Sequence, residues 1–407
     1  MVASFLVGCN SSDDEFLASK SSPAVVDSSY LVPEGQAIKR AVAFLNNLEG
    51  NVTTNAKQAR VRKRVLAGTA NDEAKKQEGV YIINFANQGG YAVVSADKRD
   101  GANVYLASPE GSFDENSSDL QYLLTTVKEY QASVISSNAF NPDKGDGTTT
   151  ENTIVLANYG PLLSTCWHQG FPFNEALCDK YPSYKGARNM GCVTVAMGQI
   201  VNYFKYPNEI SGEMLNWDLI TAATGKEIYR TTATDAASHL LYLIGTSLGI
   251  KYPSDNSANF EKAKKVFSRL GYTYNTKSGF DKELVRSQVG LGIPVYMRGA
   301  GSSEGHAWVA DGYKIIKKEY RTYDDEGNLV ENTVLNDYNY DEITEYIHLD
   351  IGWGQSFLYE KVPGSEYSSS TDHLVWVYSD IFNFYDGESV RSYNKDIKMI
   401  YNFQFNR

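Results

Sequence analysis

The chain lacks any uninterrupted apolar stretch of the roughly 18 residues that a membrane-crossing helix needs. Positive charge is in deficit: 38 Lys and Arg stand against 49 Asp and Glu, a formal net charge of -11. Such a surface repels polyanions, so nucleic acid is excluded as a partner. Lys and Arg do cluster at residues 60–64 (RVRKR), but the run is brief and reads as a solvated surface segment or a processing site. Cysteine and histidine are scarce, with 4 and 5 copies. No Gly-rich phosphate loop, zinc-type Cys cluster or metal-ligand spacing of His is present, so neither a cofactor nor a metal is expected. What is there is apolar content of 42%, enough to build cores. A length of 407 residues suits two domains plus tails.

The N-terminus is unusual. Residues 2–8 form a short apolar run ending in Leu6-Val7-Gly8-Cys9, followed by polar and acidic residues 10–15 (NSSDDE). This looks like the end of a bacterial lipoprotein signal, without its usual positively charged start, in which Cys9 becomes lipid-modified. The other reading is an ordinary apolar leader with an incidental Cys. Both imply export, either to the cell surface as an outer-membrane lipoprotein or to the extracellular medium. Membrane attachment would then run only through lipidated Cys9. Three thiols remain in an oxidising compartment, so one stays unpaired. Cys166 and Cys178, about a dozen residues apart, could close a local disulfide, leaving Cys192 as the spare.

Residues 1–26 read as this leader and a Ser-rich polar tether. Residues 27–137 read as a small α+β domain. Within it, residues 34–48 carry Ile38, Val42, Leu45 and Leu48 at helical spacing. Strand-like runs at 80–85 and 91–95 flank Asn87-Gln88-Gly89-Gly90, a hairpin signal. Residues 104–107 suit a third strand, and 119–136 a second helix. This unit holds no Cys or His and is not expected to do chemistry. Residues 138–152 (NAFNPDKGDGTTTEN) have linker composition and would be open to proteolysis. Residues 153–407 hold the remaining three Cys and all five His. Here 192–204 place Val193, Ala196, Met197, Ile200, Val201 and Phe204 on one helical face, ended by Pro207. Helices at 238–248 and 259–270 precede strands at 294–297, 306–311 and 399–405. In the last of these, Met399, Tyr401, Phe403 and Phe405 share a face at a period of two. The pattern is α+β, with a cleft where helices and strands meet.

Cys192 follows Gly191 at the first turn of its helix, where partial positive charge and unpaired N–H groups favour a thiolate. Those are conditions for an activated thiol nucleophile. His306 opens the strand-like His306–Asp311 run, which ends in Asp311-Gly312, a turn signal. Gly299, Gly301 and Gly305 surround the loop that enters it and leave the imidazole accessible. An imidazole at a cleft rim can take a proton from a thiol on a facing helix. Each residue alone has a structural reading as a core Cys or core His. Together, a Cys followed by a His more than a hundred residues later is the papain-like order.

Residues 191–207 (GCVTVAMGQIVNYFKYP) closely resemble the nucleophile helix of the streptopain family, and 305–313 (GHAWVADGY) its histidine strand. Residues 161–163 (PLL), 167–169 (WHQ) and 172–174 (PFN) resemble the segment that carries the family's oxyanion-hole Gln, here Gln169. Residues 81–98 (YIINFANQGGYAVVSADK) look like the hairpin of its propeptide. The resemblance implies a papain-like fold with a helical lobe and an antiparallel β lobe, preceded by an inhibitory propeptide. It further implies a cysteine endopeptidase acting on protein or peptide substrates, and made as a zymogen. The family's Asn-Trp-Gly-Trp segment departs here to Asp350-Ile351-Gly352-Trp353. Trp353 would shield the reacting pair, and Asp350 could orient the imidazole with altered pKa values. An Asp at that place also admits a Cys-His-Asp acyltransferase or amidase. A degenerate protease that only binds a partner is the non-enzymatic alternative.

Overall fold

The computed structural model describes residues 30–49, 60–65, 79–86, 89–101, 103–113, 118–136, 148–184, 188–227, 229–300, 305–324, 326–332, 339–352, 374–383 and 395–406. Cys9 and the proposed leader lie outside them. Helix α1 (Glu34–Glu49) buries Ala37, Ala41, Phe44 and Leu45 at spacings of three and four; of the expected face only Leu45 is fully buried, while Ile38, Val42 and Leu48 are half-buried against the same core. Strands β1 (Arg60–Val65), β2 (Gly79–Asn84), β3 (Tyr91–Ser95) and β4 (Val104–Ser108) follow, then helix α2 (Ser118–Ser136). β2 and β3 pair antiparallel from Val80↔Ser95 to Asn84↔Tyr91, closing the expected hairpin. The basic run at 60–64 lies in β1, which pairs with β2 along its whole length and ends the sheet. Ladder hydrogen bonds need only backbone, and charged side chains suit an edge strand.

The rest of the chain begins with β5 (Thr148–Tyr159), so residues 148–152 of the expected linker are strand paired with residues 319–323. A helical stretch comes next: α3 (Glu175–Lys180), α4 (Cys192–Phe204), the small β6 (Glu209–Ile210) and β7 (Glu213–Met214) pair, α5 (Trp217–Thr221), α6 (Thr232–Ser247) and α7 (Phe260–Arg269). Caps fix several starts. Thr231 and Thr234 form a capping box at α6, and Asn259 caps α7. β8 (Thr273–Ser278), α8 (Lys282–Gly290), β9 (Val295–Ala300), β10 (Gly305–Tyr323), β11 (Tyr340–Asp350), β12 (Leu374–Tyr378) and β13 (Lys395–Gln404) complete the chain.

Ten strands run in the order β1-β2-β3-β4-β12-β11-β10-β9-β13-β8, with β5 added beside β10. Every pairing between the described strands is antiparallel, so the architecture is α+β. Side chains alternate across this sheet. Ala307 and Val309 of β10 pack into the core under α4, α6 and α7, whereas Trp308 and Ala310 face the core shared with α8 and the N-terminal helices. Two expectations fail at irregularities. Asp311-Gly312 is not a turn: β10 continues through it to Tyr323, with a register shift between Ala310 and Gly312. In β13, Asn402 has φ 55 and the register shifts between Tyr401 and Gln404. Met399 therefore packs in one core, while Phe403 joins Ile400 in the other.

Candidate active site

Helix α4 starts at Cys192 because Gly191 adopts φ 90, a left-handed conformation that ends the preceding loop. A Cβ at Gly191 would lie 2.2 Å from the Asn256 carbonyl oxygen. The predicted apolar face of α4 is buried through Val193, Ala196, Met197, Ile200 and Val201. It leaves Cys192 at the helix tip, partly exposed. Burial nevertheless pushes the thiol up from the ordinary range. The backbone N–H groups of Ala307 and Val193 and the Arg298 guanidinium work against that shift.

The Ala307 amide brings β10 to the sulfur, and His306 is the residue before it. His306 pairs with Gly299 across β9 at the start of β10, as predicted, but it is 3% exposed rather than accessible. Its ring stacks on Trp308 with centroids 6.0 Å apart. Its Nε2 lies 2.7 Å from the Ile351 carbonyl oxygen. A carbonyl only accepts, so Nε2 carries the proton and Nδ1 is the basic nitrogen. Burial pushes the imidazole down to about 3, opposed by the Ile351 hydrogen bond and reinforced by nearby Arg298.

The remaining predicted residues fall differently. The Gln169 carbonyl accepts from Met190 N at 3.1 Å, tying its loop to the chain two residues before Cys192. The Gln169 side chain is buried, and its amide makes no hydrogen bond among the described residues. Asp350 does not hold the imidazole. Its carboxylate accepts from Gln199 Nε2 and, at 3.0 Å, from Gly352 N, which leaves the imidazole to the neighbouring Ile351 carbonyl. Burial, with Asp311 close by, raises its pKa well above the carboxylate range. Trp353 lies outside the described residues. Cys166 and Cys178 are both thiols, contrary to the expected bridge. Cys166 Sγ donates to the Thr224 carbonyl at 3.3 Å, while Cys178 is held in α3, itself anchored to α6 by Ala176 N and Ser238 Oγ. Sequence reasoning missed the Ile351 carbonyl, because a backbone atom leaves no trace in residue identity. It also missed Arg298, a lone cation after the apolar Val295-Tyr296-Met297.

A thiol at a helix tip, with an imidazole on the strand that meets it, is the arrangement used by thiol-dependent hydrolases. Residues 167–357 match the family model described as Peptidase C10 family, and residues 29–134 match that of the Spi protease inhibitor. The part at 167–357 is thus similar to the Peptidase C10 family, and the chain is a cysteine peptidase preceded by an inhibitor-like propeptide domain. It is similar to Streptopain of Streptococcus pyogenes serotype M28 (strain MGAS6180), 25% identical over 336 residues, covering 71% of this chain and 81% of that protein. Streptopain of serotype M1 is 24% identical over 341 residues, with the same coverage. Thiol protease/hemagglutinin PrtT of Porphyromonas gingivalis is 25% identical over 283 residues, 59% of this chain and 32% of that protein.

Proposed function

We propose that the protein is an exported cysteine endopeptidase made as a zymogen, with Cys192 as nucleophile and His306 as general base. The observation that carries this reading is the Ala307 N–H facing the Cys192 sulfur at the tip of α4, with His306 one residue before it. In the reaction, His306 Nδ1 takes the thiol proton and the sulfur attacks the peptide carbonyl carbon. The Gln169 amide and the Cys192 backbone N–H hold the resulting oxyanion. Collapse expels the amine, which takes the proton back from His306 and leaves a thioester. Water then attacks the thioester, giving its proton to His306; collapse releases the peptide acid and frees the Cys192 thiolate, which takes that proton back from His306.

The helices α4–α7 form one lobe and the strands β9–β13 the other, with the substrate groove between them. Residues 30–136 act as the intramolecular inhibitor. Cleavage falls between Ser136 and Thr148, because β5 belongs to the sheet of the catalytic part. The polar segment after Cys9 tethers the enzyme to the surface when Cys9 is lipidated. An acyltransferase built on a Cys-His-Asp triad loses its support, since Asp350 is engaged elsewhere.

The test is turnover of a peptide amide by full-length precursor activated with an added protease. Cys192→Ala and His306→Ala should each lower kcat by about three orders of magnitude or more. An epoxysuccinyl inhibitor should label the activated wild type and not Cys192→Ala. Full activity in either variant would sink the assignment.

A further inference from the structure

Besides its apolar face, α4 buries three polar side chains almost completely: Thr194, Gln199 and Asn202. Gln199 is seven residues beyond Cys192, about two helical turns on and so on the same side. Hydrogen bonds around it run in one direction. Thr221 Oγ1 donates to Asn202 Oδ1 at 2.9 Å, which turns Asn202 Nδ2 toward Thr165 Oγ1 at 3.3 Å. Thr165, already accepting, gives its own hydrogen to Gln199 Oε1 at 2.6 Å. That fixes the Gln199 amide, so Nε2 is the end that faces and donates to Asp350 Oδ2. The other oxygen of Asp350 accepts from Gly352 N. Ile351 sits between those two residues, and its carbonyl accepts from His306 Nε2.

The same turn rests directly on the nucleophile helix. Gly352 has φ 63, and a Cβ there would approach Val195 Cγ1 to 3.1 Å. The carbonyl that sets the tautomer and angle of the base is thus held from both sides by the helix that carries the nucleophile.

We propose that Gln199 is a positioning residue of the proteolytic reaction: by holding Asp350 it locks the 350–352 turn and aims the Ile351 carbonyl at His306. The buried carboxylate acts on the backbone and never touches the imidazole. Nucleophile and base are thereby set in one frame by a side chain in contact with neither. The proposal rests on Cys192 and His306 being the reacting pair.

The test exchanges donor and acceptor across the link. In Gln199→Glu, two carboxyl groups confront each other. In Gln199→Glu/Asp350→Asn, the new amide donates to the new carboxylate, while Thr165 and Gly352 keep acceptors. Full-length precursors are activated with the same added protease and assayed on a peptide amide. Gln199→Glu should lower kcat by about a hundredfold with KM changed less than about threefold, the mark of misplaced chemistry and not lost binding. The double variant should regain all but about tenfold of the loss. Should Gln199→Glu fail to fold, Thr165→Val releases the amide to turn over and should cost about tenfold in kcat, again with KM held. Wild-type kcat in whichever single variant folds would overturn the proposal. So would a folded double variant that regains thermal stability but not kcat. In those cases His306→Ala would still be inactive, whereas an active His306→Ala would remove the reading beneath the proposal.

Discussion

Burial is the dominant influence on both the Cys192 thiol and the His306 imidazole. It disfavours imidazolium at His306, lowering its pKa from 6.5 to about 3, and disfavours thiolate at Cys192. Near neutral pH the pair in this arrangement is an uncharged thiol and a neutral imidazole, a latent state that suits a precursor. The depressed imidazole has a consequence for stability. Its contribution is present above the unfolded value of 6.5 and is lost as pH falls from there toward about 3. Asp100, raised to about 6, and Asp350, also raised, act in the opposite sense and lose their contribution as pH rises. The difference between two proteins therefore isolates the histidine. His306→Gln keeps a donor for the Ile351 carbonyl without a titrating ring. Its thermal midpoint should fall less between pH 6.5 and 4 than that of the wild-type precursor; parallel curves would refute this. Cys192 and His306 could be picked out from residue type and order. Asp350 misled, because an acid next in line to the imidazole looks like its partner until the backbone shows which oxygen points inward.

Helix α4 is the element on which the site turns, and its start depends on Gly191. Any side chain there meets the Asn256 carbonyl at 2.2 Å and must hold φ 90. Gly191→Ala should cost about 1–3 kcal/mol for the backbone conformation alone, with the clash added. Differential scanning calorimetry of the precursor should record a lowered midpoint, and activity should fall further than stability because the helix tip moves. An unchanged midpoint would mean that the loop at Asn256 yields freely. Element identities were mostly legible: the period of α4, α6 and α7 and the β2–β3 hairpin stand in the apolar spacing. The shifts at Asp311 and Asn402 were not, since one extra residue in a strand preserves composition while exchanging the faces of all later residues in that strand.

At the scale of the molecule, one sheet runs through both halves, joined where Ala107 and Leu106 of β4 meet Trp376 and Val377 of β12. Lys314 of β10 is wholly buried at this junction. Its ammonium donates to the Asn47 and Leu48 carbonyls at 2.7 and 3.4 Å, in the last turn of α1. It also lies 5.0 Å from the centre of the Trp376 ring. Burial draws its pKa down to about 8, whereas the helix carbonyls and the aromatic face favour the charged form. Lys314→Met would leave carbonyls at the end of α1 without a donor, at a cost of about 1–3 kcal/mol. Hydrogen exchange of the α1 amides in the precursor should quicken by about tenfold, as expected of a locally loosened element. Unaltered protection would show that the apolar contacts suffice.

By itself, the sequence determined the α+β class, the small N-terminal unit without Cys or His, and the choice of Cys192 and His306 as the proposed reacting pair. These come from local periodicity and from chemistry that few residue types can perform. Only the tertiary structure decided that β5 belongs to the catalytic sheet and that the basic run at 60–64 is an edge strand. It also decided that Cys166 and Cys178 stay apart and that the His306 imidazole meets a main-chain carbonyl. Each of these depends on which distant backbone atoms meet, and residue identity leaves that to the packing of the whole chain.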